Sequence, residues 1–107
     1  MLTAIKKILG LGPSTDFSKL VKEGAIILDV RTKNEFESGH IKGAVNIPLD
    51  QLVNNLNKWK DKNKPIITCC ASGMRSASAK MLLKSRGYMN VYNGGAWSSL
   101  KNKLSEV

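Results

Sequence analysis

The sequence is poor in several features that would each indicate a particular class of protein. It holds two cysteines, one histidine, three prolines and nine glycines in 107 residues, and 6% of its residues are aromatic. No apolar run approaches the roughly 20 residues that cross a bilayer, so we expect no transmembrane segment. Glycine and proline are too few for a fibrous or low-complexity chain. The composition therefore predicts one small globular domain.

The few cysteines and the single histidine exclude two kinds of scaffold. Cys69 and Cys70 are neighbours, and neighbouring cysteines join only in a strained ring that closes no loop. A zinc site needs three or four ligands at workable spacings, and His40 is the only histidine. We therefore expect free thiols and no metal site. Free reactive thiols without a signal segment indicate the reducing cytoplasm.

Acidic residues are also scarce. Eight Asp and Glu stand against seventeen Lys and Arg, which gives a formal net charge of +9. A positive surface concentrates anions and helps an acidic partner to dock. The densest basic cluster lies between Lys58 and Lys64 and lacks the interleaved aromatic residues that stack on bases. The pattern favours a solvated basic surface, and nucleic-acid binding is the less favoured alternative.

Hydrophobic periodicity divides the chain into an amphipathic helix at 1–12 and a domain at 13–107. Within the domain the pattern predicts strands at 25–30, 44–47, 66–69 and 90–92, and helices at 17–23, after Thr32, at 49–59, at 76–86 and from Trp97. Gly94-Gly95 is expected to form a turn, and Ala77, Met81 and Leu82 to share one helix face. Buried strands that alternate with helices are typical of α/β domains. We expect a mostly parallel central sheet with helices on both faces.

The segment from Cys70 to Arg75 joins a predicted buried strand to a predicted helix, where α/β sheets bind ligands. Its backbone N–H groups can surround an anion, and the helix dipole favours the thiolate of Cys70. Gly73 supplies backbone freedom, Arg75 offers a fork of donors for an oxyanion, and Ser76 can cap the helix or donate a hydrogen bond. Cys70 is therefore the candidate nucleophile. The alternative is a buried cysteine that only packs.

Four further residues are candidates for a supporting framework. Asp29 and Arg31 alternate with Val30 at a strand end, so their side chains point the same way and can pair. Glu35 stands three residues after Thr32, the spacing of a capping box. His40 is interpreted as a structural hydrogen-bonding residue rather than a catalytic base.

Six segments occur in order from Phe17 onward: Leu28-Asp29-Val30-Arg31, Glu35-Phe36, Gly39 to Ala44, Asn46-Ile47-Pro48, Cys70 to Ser76, and Gly94-Gly95-Ala96-Trp97. Each is weak alone, but together they resemble the single-domain form of the rhodanese family. The resemblance implies a sulfurtransferase in which Cys70 takes sulfur from a small anionic donor such as thiosulfate, becomes a persulfide and passes the sulfur on. The acceptor would be cyanide, a small thiol, or a thioredoxin-like or other protein that accepts sulfur. The resemblance implies that this cycle needs neither a metal nor an organic cofactor.

The resemblance also assigns roles around the nucleophile. Substrate binding would fall to the loop residues Ala71, Ser72, Gly73, Met74, Arg75 and Ser76. In relatives, the glutamate at the position of Glu35 can orient the loop arginine. The turn motif containing His40, and the pair Asp29 and Arg31, would frame the site.

Two alternatives remain open. Related phosphatases use a loop one residue longer, and five residues separate Cys69 from Arg75, whereas four separate Cys70 from Arg75. Gly73 fits the family pattern when Cys70 is the nucleophile, which makes a phosphatase or arsenate-reductase-like enzyme the less favoured reading. A non-catalytic protein-binding module is the other alternative. Cys69 stands where the family usually has a larger residue, so it either packs or acts as a resolving thiol.

Overall fold

Apolar, β-branched segments form the centre of the sheet, as their sequence predicts. The computed structural model describes residues 15–105, with four strands there: β1 (Ile26–Asp29), β2 (Val45–Asn46), β3 (Ile66–Cys70) and β4 (Val91–Ala96). All pairings are parallel and the order is β2-β1-β3-β4. The inner strands β1 and β3 pair from Ile26 with Ile66 to Asp29 with Cys69. Their carboxyl ends therefore lie side by side.

Helices cover both faces of this sheet: α1 (Phe17–Lys22), α2 (Lys33–Glu37), α3 (Met74–Ser85) and α4 (Trp97–Ser105). The buried residues form two clusters. One includes Leu28, Ile66, Cys70, Ala79 and Leu83, and the other includes Phe17, Ile27, Ile67, Cys69 and Leu100. The first brings α3 against the sheet, and the second brings α1 and α4 against its other face. The predicted α/β class with helices on both faces is confirmed.

Polar side chains cap the N-termini of α1 and α2. The Asp16 carboxylate accepts a hydrogen bond from the Lys19 N–H at 3.0 Å and caps α1. At α2 the predicted capping box is present: the Thr32 hydroxyl accepts from the Glu35 N–H, and the Glu35 carboxylate accepts from the Thr32 N–H. These bonds satisfy N–H groups that a helix start otherwise leaves unpaired.

The segment predicted as one helix at 49–59 forms two 3₁₀ turns instead, Leu49–Gln51 and Val53–Lys58. At Asn55 the backbone N–H bonds the Leu52 carbonyl, while the side-chain amide donates to the Gln51 carbonyl at 2.8 Å. The side chain thus takes the acceptor that an α-helical backbone bond would use. Apolar spacing alone does not reveal this competition.

Two other predictions need correction. Gly94 and Gly95 lie inside β4 rather than in a turn. A Cβ on Gly94 would come within 2.8 Å of the Thr68 carbonyl oxygen, so this glycine lets two strands and α4 approach closely. Met81 is 73% exposed, and the face of α3 that packs on the sheet instead holds Ser76, Ala79 and Leu83.

Two findings concern the extent of the chain. The helix predicted at 1–12 lies outside the described residues, and the domain limits at 13–107 stay a prediction. No helix between residues 15 and 105 is both long and apolar enough to cross a membrane.

Candidate active site

The loop after β3 turns sharply into α3 because of one glycine. Gly73 is the residue before the first turn of α3 and has φ +104°, a left-handed conformation that side chains disfavour. A Cβ there would lie 3.6 Å from the Gly95 Cα. Since the turn folds the loop back over the end of β3, it aims backbone N–H groups at the residue where β3 ends.

That residue is Cys70, whose sulfur lies inside the loop. The Cys70 Sγ accepts hydrogen bonds from the Gly73 N–H at 2.9 Å and from the Ser76 N–H at 3.3 Å. The Ser76 Oγ lies 3.5 Å from the same sulfur. The Cys70 side chain is fully buried in the resting protein. An anionic sulfur at this position is therefore surrounded by donors at the start of a helix.

These contacts change the acidity of Cys70. Burial by itself raises the pKa of the thiol, because a thiolate loses its hydration. Hydrogen bonds with the Ser76 side chain and with the N–H groups of Ser76, Gly73 and Ser72 outweigh burial, so the pKa of Cys70 falls below its ordinary value of 9.0. The loop thus favours the nucleophilic form of this cysteine.

Asn93 is a site residue that sequence reasoning missed. Its side-chain oxygen accepts hydrogen bonds from the Ser76 hydroxyl at 2.6 Å and from the Gly95 N–H at 2.9 Å. The Ser76 Oγ also lies 3.0 Å from the Gly73 carbonyl oxygen. Asn93 therefore ties β4 to the start of α3. The only signal in the sequence is its place directly before the glycine pair.

Cys69 faces the opposite side of the sheet, because successive side chains of a strand alternate. It packs in the cluster with Ile67 and Leu100. Burial, and secondarily the charge of Asp29, raise the pKa of Cys69 to about 12. The two neighbouring thiols therefore differ: one is held among donors, and the other is kept neutral among apolar groups.

Arg75 is engaged by Glu35, which changes the role expected for its fork of donors. The two terminal nitrogens of Arg75 donate to the two carboxylate oxygens of Glu35 at 2.8 and 3.0 Å. Glu35 also completes the capping box with Thr32. The arginine charge stays beside the loop, while its fork is occupied by a carboxylate rather than open for an oxyanion.

Asp29 and Arg31 form a second ion pair, which is buried. The Arg31 guanidinium donates to the Asp29 carboxylate at 2.7 to 3.1 Å through two nitrogens. Its remaining donors reach the carbonyl oxygens of Glu35 at 3.1 Å and Gly39 at 2.7 Å. The guanidinium also lies 4.6 Å from the centre of the Trp97 ring. Arg31 thereby joins β1 to the segments that carry Glu35 and Trp97.

His40 makes local contacts only. Its Nδ1 lies 2.8 Å from the Phe36 carbonyl oxygen, which can only accept, so this nitrogen carries the proton. The imidazole stacks on the Phe36 ring with 3.8 Å between centroids. Nothing in this geometry directs His40 toward Cys70.

The remaining loop residues form an exposed rim around the buried sulfur. Ala71, Ser72 and Met74 are exposed, and Met74 is 80% exposed. A shallow pocket of about 320 Å³ adjoins the loop at Arg75 and is lined by Val30, Thr32, Pro48, Leu49, Asp50 and Arg75. Within the part of the chain that the structure describes, no three side chains of His, Cys, Asp or Glu gather as metal ligands. The site therefore offers backbone N–H groups and one arginine charge to a small anion.

Comparison with known proteins identifies this arrangement. The sequence-family model described as "Rhodanese-like domain" matches residues 14–102. The chain belongs to the rhodanese family. The predicted family is thus confirmed, and the parallel sheet with helices on both faces agrees with solved rhodanese structures. A structure titled "rhodanese with anions from E. coli" superimposes with a TM-score of 0.63 at 30% identity, over 70% of this chain and 89% of that one.

Two curated relatives are each similar to this chain over 69 residues. It is 44% identical over 69 residues to "Uncharacterized protein YqhL" of Bacillus subtilis (strain 168), over 64% of this chain and 54% of the relative. It is 35% identical over 69 residues to "Thiosulfate sulfurtransferase PspE" of Escherichia coli (strain K12), over 64% of this chain and 66% of the relative. The chain thus spans about half the length of YqhL. Sulfurtransferases are among its relatives.

The ion pair of Glu35 and Arg75 predicts an acid-sensitive contribution to the stability of this rhodanese domain. The hydrogen bond from Arg75 lowers the pKa of Glu35 from 4.5 to about 2. A lowered folded-state pKa stabilises the fold above the unfolded value, and this stabilisation is lost as pH falls from 4.5 toward 2. Since the side chains of Arg75 and Glu35 are 35% and 37% exposed, screening limits the effect to about 0.5–1 kcal/mol.

The measurement is urea unfolding of the wild type and Glu35→Gln at neutral pH and at about pH 3. We expect the variant to be less stable at neutral pH and the difference to shrink in acid. Glu37→Gln, on the same helix, is the matched control. A difference between wild type and Glu35→Gln that does not change with pH would contradict the prediction.

Proposed function

We propose that this rhodanese domain is a sulfurtransferase that moves a sulfane sulfur through a persulfide on Cys70. The donor is thiosulfate or a persulfide, and the acceptor is a thiophile such as cyanide, a small thiol or a protein thiol. The observation that carries the proposal is the placement of the Cys70 Sγ under the N–H groups of Gly73 and Ser76, at 2.9 and 3.3 Å. A reducing compartment such as the cytoplasm suits a free nucleophilic thiol.

In the first half of the cycle the Cys70 thiolate attacks the outer sulfur of thiosulfate. A bond forms between the two sulfurs, the sulfur–sulfur bond of thiosulfate breaks, and sulfite leaves with the electron pair. In the second half the acceptor attacks the outer sulfur of the persulfide, and the electron pair returns to the Cys70 Sγ. With cyanide the product is thiocyanate. No external oxidant or reductant enters this cycle.

The residues of the loop stabilise the charges that this cycle creates. The N–H groups of Gly73 and Ser76 hold the thiolate, and the turn made by Gly73 allows the outer sulfur of the persulfide to lie within the loop. Arg75, held by Glu35, keeps a positive charge beside the incoming anion and the departing sulfite. The Escherichia coli structure titled "rhodanese with anions" supports an anionic substrate for a related protein.

The phosphatase alternative requires Cys69 as the nucleophile of the longer loop. The position of its side chain on the other face of the sheet and its raised pKa, about 12, both argue against that role. The same features favour packing over a resolving function for Cys69. The alternative of a non-catalytic module predicts that Cys70 stays unmodified by any donor.

The proposal is tested by the mass of the reduced wild-type protein before and after incubation with thiosulfate. We expect a gain of one sulfur atom that cyanide removes as thiocyanate. A generic phosphate ester is incubated in parallel and should stay intact. Hydrolysis of the ester without a mass gain would favour the phosphatase. If the protein gains no sulfur and the ester stays intact, the binding module would be favoured.

A further inference from the structure

The segment from Lys62 to Ser105, which carries the candidate nucleophile, has no acidic residue. Between Lys62 and Ser105 there are eight basic residues and no aspartate or glutamate: Lys62, Lys64, Arg75, Lys80, Lys84, Arg86, Lys101 and Lys103. This segment includes β3, the loop, α3, β4 and α4. The positive net charge is therefore concentrated in the segment that contains Cys70 and α3, and such a segment attracts negatively charged partners.

An uncharged stripe runs through this basic segment along the exposed face of α3. Ser78, Met81 and Ser85 lie four, seven and eleven residues after Met74. This spacing places the four residues on one side of the helix, and all four are exposed. Met74 and Met81 are 80% and 73% exposed. Exposed methionine side chains make an adaptable apolar contact surface. We call these four residues the methionine stripe.

The methionine stripe begins at the site. Met74 directly follows Gly73, whose N–H group bonds the Cys70 sulfur. Met81 lies seven positions after Met74 on the helix, a distance of about 10 Å along its axis. A ligand that covers both methionines and also reaches Cys70 is therefore larger than thiosulfate or a small thiol.

The charges and the apolar groups together point to a protein. Lys80 and Lys84 flank one side of the stripe, so carboxylates around an apolar patch would complement it. A nucleic acid binds through a basic groove along its backbone and through aromatic rings that stack on its bases, whereas this face has two lysines on one side only and no aromatic ring. The chemistry of this face favours an acidic protein over an RNA.

We propose that the methionine stripe is the docking surface for an acidic partner protein that exchanges sulfur with Cys70 through an exposed thiol. This inference rests on the proposed sulfurtransferase function. In the transfer, the partner's thiolate attacks the outer sulfur of the Cys70 persulfide and a new sulfur–sulfur bond forms. The bond to the Cys70 Sγ breaks, and the electron pair returns to that sulfur as a thiolate. Docking along α3 brings the partner's thiol to the exposed rim of the loop.

The test compares a small and a protein acceptor after persulfide loading with thiosulfate. Cyanide is the small acceptor, and reduced thioredoxin is the acidic protein. Its first thiol takes the sulfur, and its second thiol displaces hydrosulfide and closes a disulfide, so the rate is read as released sulfide. The variants are Met81→Glu and Lys84→Glu. The matched controls are Met89→Glu, a methionine that is 67% exposed outside the stripe, and Lys58→Glu, a basic residue outside α3.

We expect Met81→Glu to lower the second-order rate constant with thioredoxin about tenfold, the size of a modest interface contact. Lys84→Glu should lower it less and reduce its dependence on salt. Discharge by cyanide should be unchanged in both variants, and neither control should affect either acceptor.

Other results would contradict either the sulfurtransferase function or the docking proposal, and the two acceptors distinguish these cases. If wild-type discharge by cyanide fails, the sulfurtransferase function is wrong and the docking proposal falls with it. If cyanide discharge is normal and Met81→Glu transfers sulfur to thioredoxin as fast as Met89→Glu, only the docking proposal is wrong. If the stripe variants lose retention on an RNA column but not the thioredoxin rate, the face binds nucleic acid instead.

Discussion

Replacing Cys70 with serine is expected to reduce sulfur transfer from thiosulfate to cyanide to the rate of the uncatalysed reaction. A serine hydroxyl forms no persulfide, so the covalent step that divides the transfer into two halves is lost. The surrounding donors, the N–H groups of Gly73 and Ser76, remain in place in this variant. The loss therefore reports the nucleophile rather than the loop. The measurement is thiocyanate formation together with the mass of the thiosulfate-treated protein.

Cys69→Ser is the matched control, because it changes the neighbouring thiol on the other face of the sheet. We expect it to keep persulfide formation and most of the activity, with some loss of stability. The ultraviolet absorbance of the thiolate distinguishes the two cysteines further. Cys70 alone should titrate below pH 9.0, and Cys69 alone should stay protonated until about pH 12 or until the protein unfolds. Activity that is lost in Cys69→Ser and kept in Cys70→Ser would reverse the assignment.

Replacing Asp29 with alanine is expected to cost about 3–5 kcal/mol of unfolding free energy, the largest stability effect of those considered. Both members of the pair are buried, with Asp29 at 0% and Arg31 at 3% exposure. Without the carboxylate, the Arg31 guanidinium stays buried with carbonyl oxygens and an aromatic ring but no counter-charge. The measurement is unfolding in guanidinium chloride, with tryptophan fluorescence as the readout.

The double variant Asp29→Leu with Arg31→Met is the control for this prediction. Removing both charges leaves no uncompensated ion, so it should recover much of the stability lost in Asp29→Ala. The ion pair of Glu35 and Arg75, which is about a third exposed, should show a far smaller effect when broken. If Asp29→Ala and Glu35→Gln cost the same, the buried pair would not be the stronger framework contact.

Much of the fold could be predicted because local signals and the tertiary structure agree. The apolar runs around Ile27 and Ile67 form the central parallel strands, and the capping box at Thr32 begins α2. Two predictions that failed rested on the spacing of apolar residues alone. This spacing does not show which side of a helix packs against the sheet or which polar groups compete for backbone hydrogen bonds. Met81 has helical spacing but faces outward, and the segment after Pro48 forms 3₁₀ turns because Asn55 competes for a backbone carbonyl.

The order of residues by itself determined the fold class, the family and the place of the candidate nucleophile. A cysteine followed by a glycine and an arginine, between a buried strand and a helix, already predicts a thiol at a helix start. Such signals are local, since they depend on residues within a few positions of one another. They favoured Cys70 over Cys69 through the position of Gly73, but they did not show which donors surround the thiol.

Only the tertiary structure decided the contacts between distant segments. It placed Cys70 and Cys69 on opposite faces of the sheet and brought Asn93 to Ser76. It also showed the contact of Arg75 with Glu35 across 40 positions of the chain, which only the family resemblance had implied. These contacts depend on the parallel order of the strands, which sets the carboxyl ends of β1, β3 and β4 side by side. Hydrophobic periodicity indicates which faces of helices and strands are apolar, but it does not show which polar groups contact one another in the folded protein.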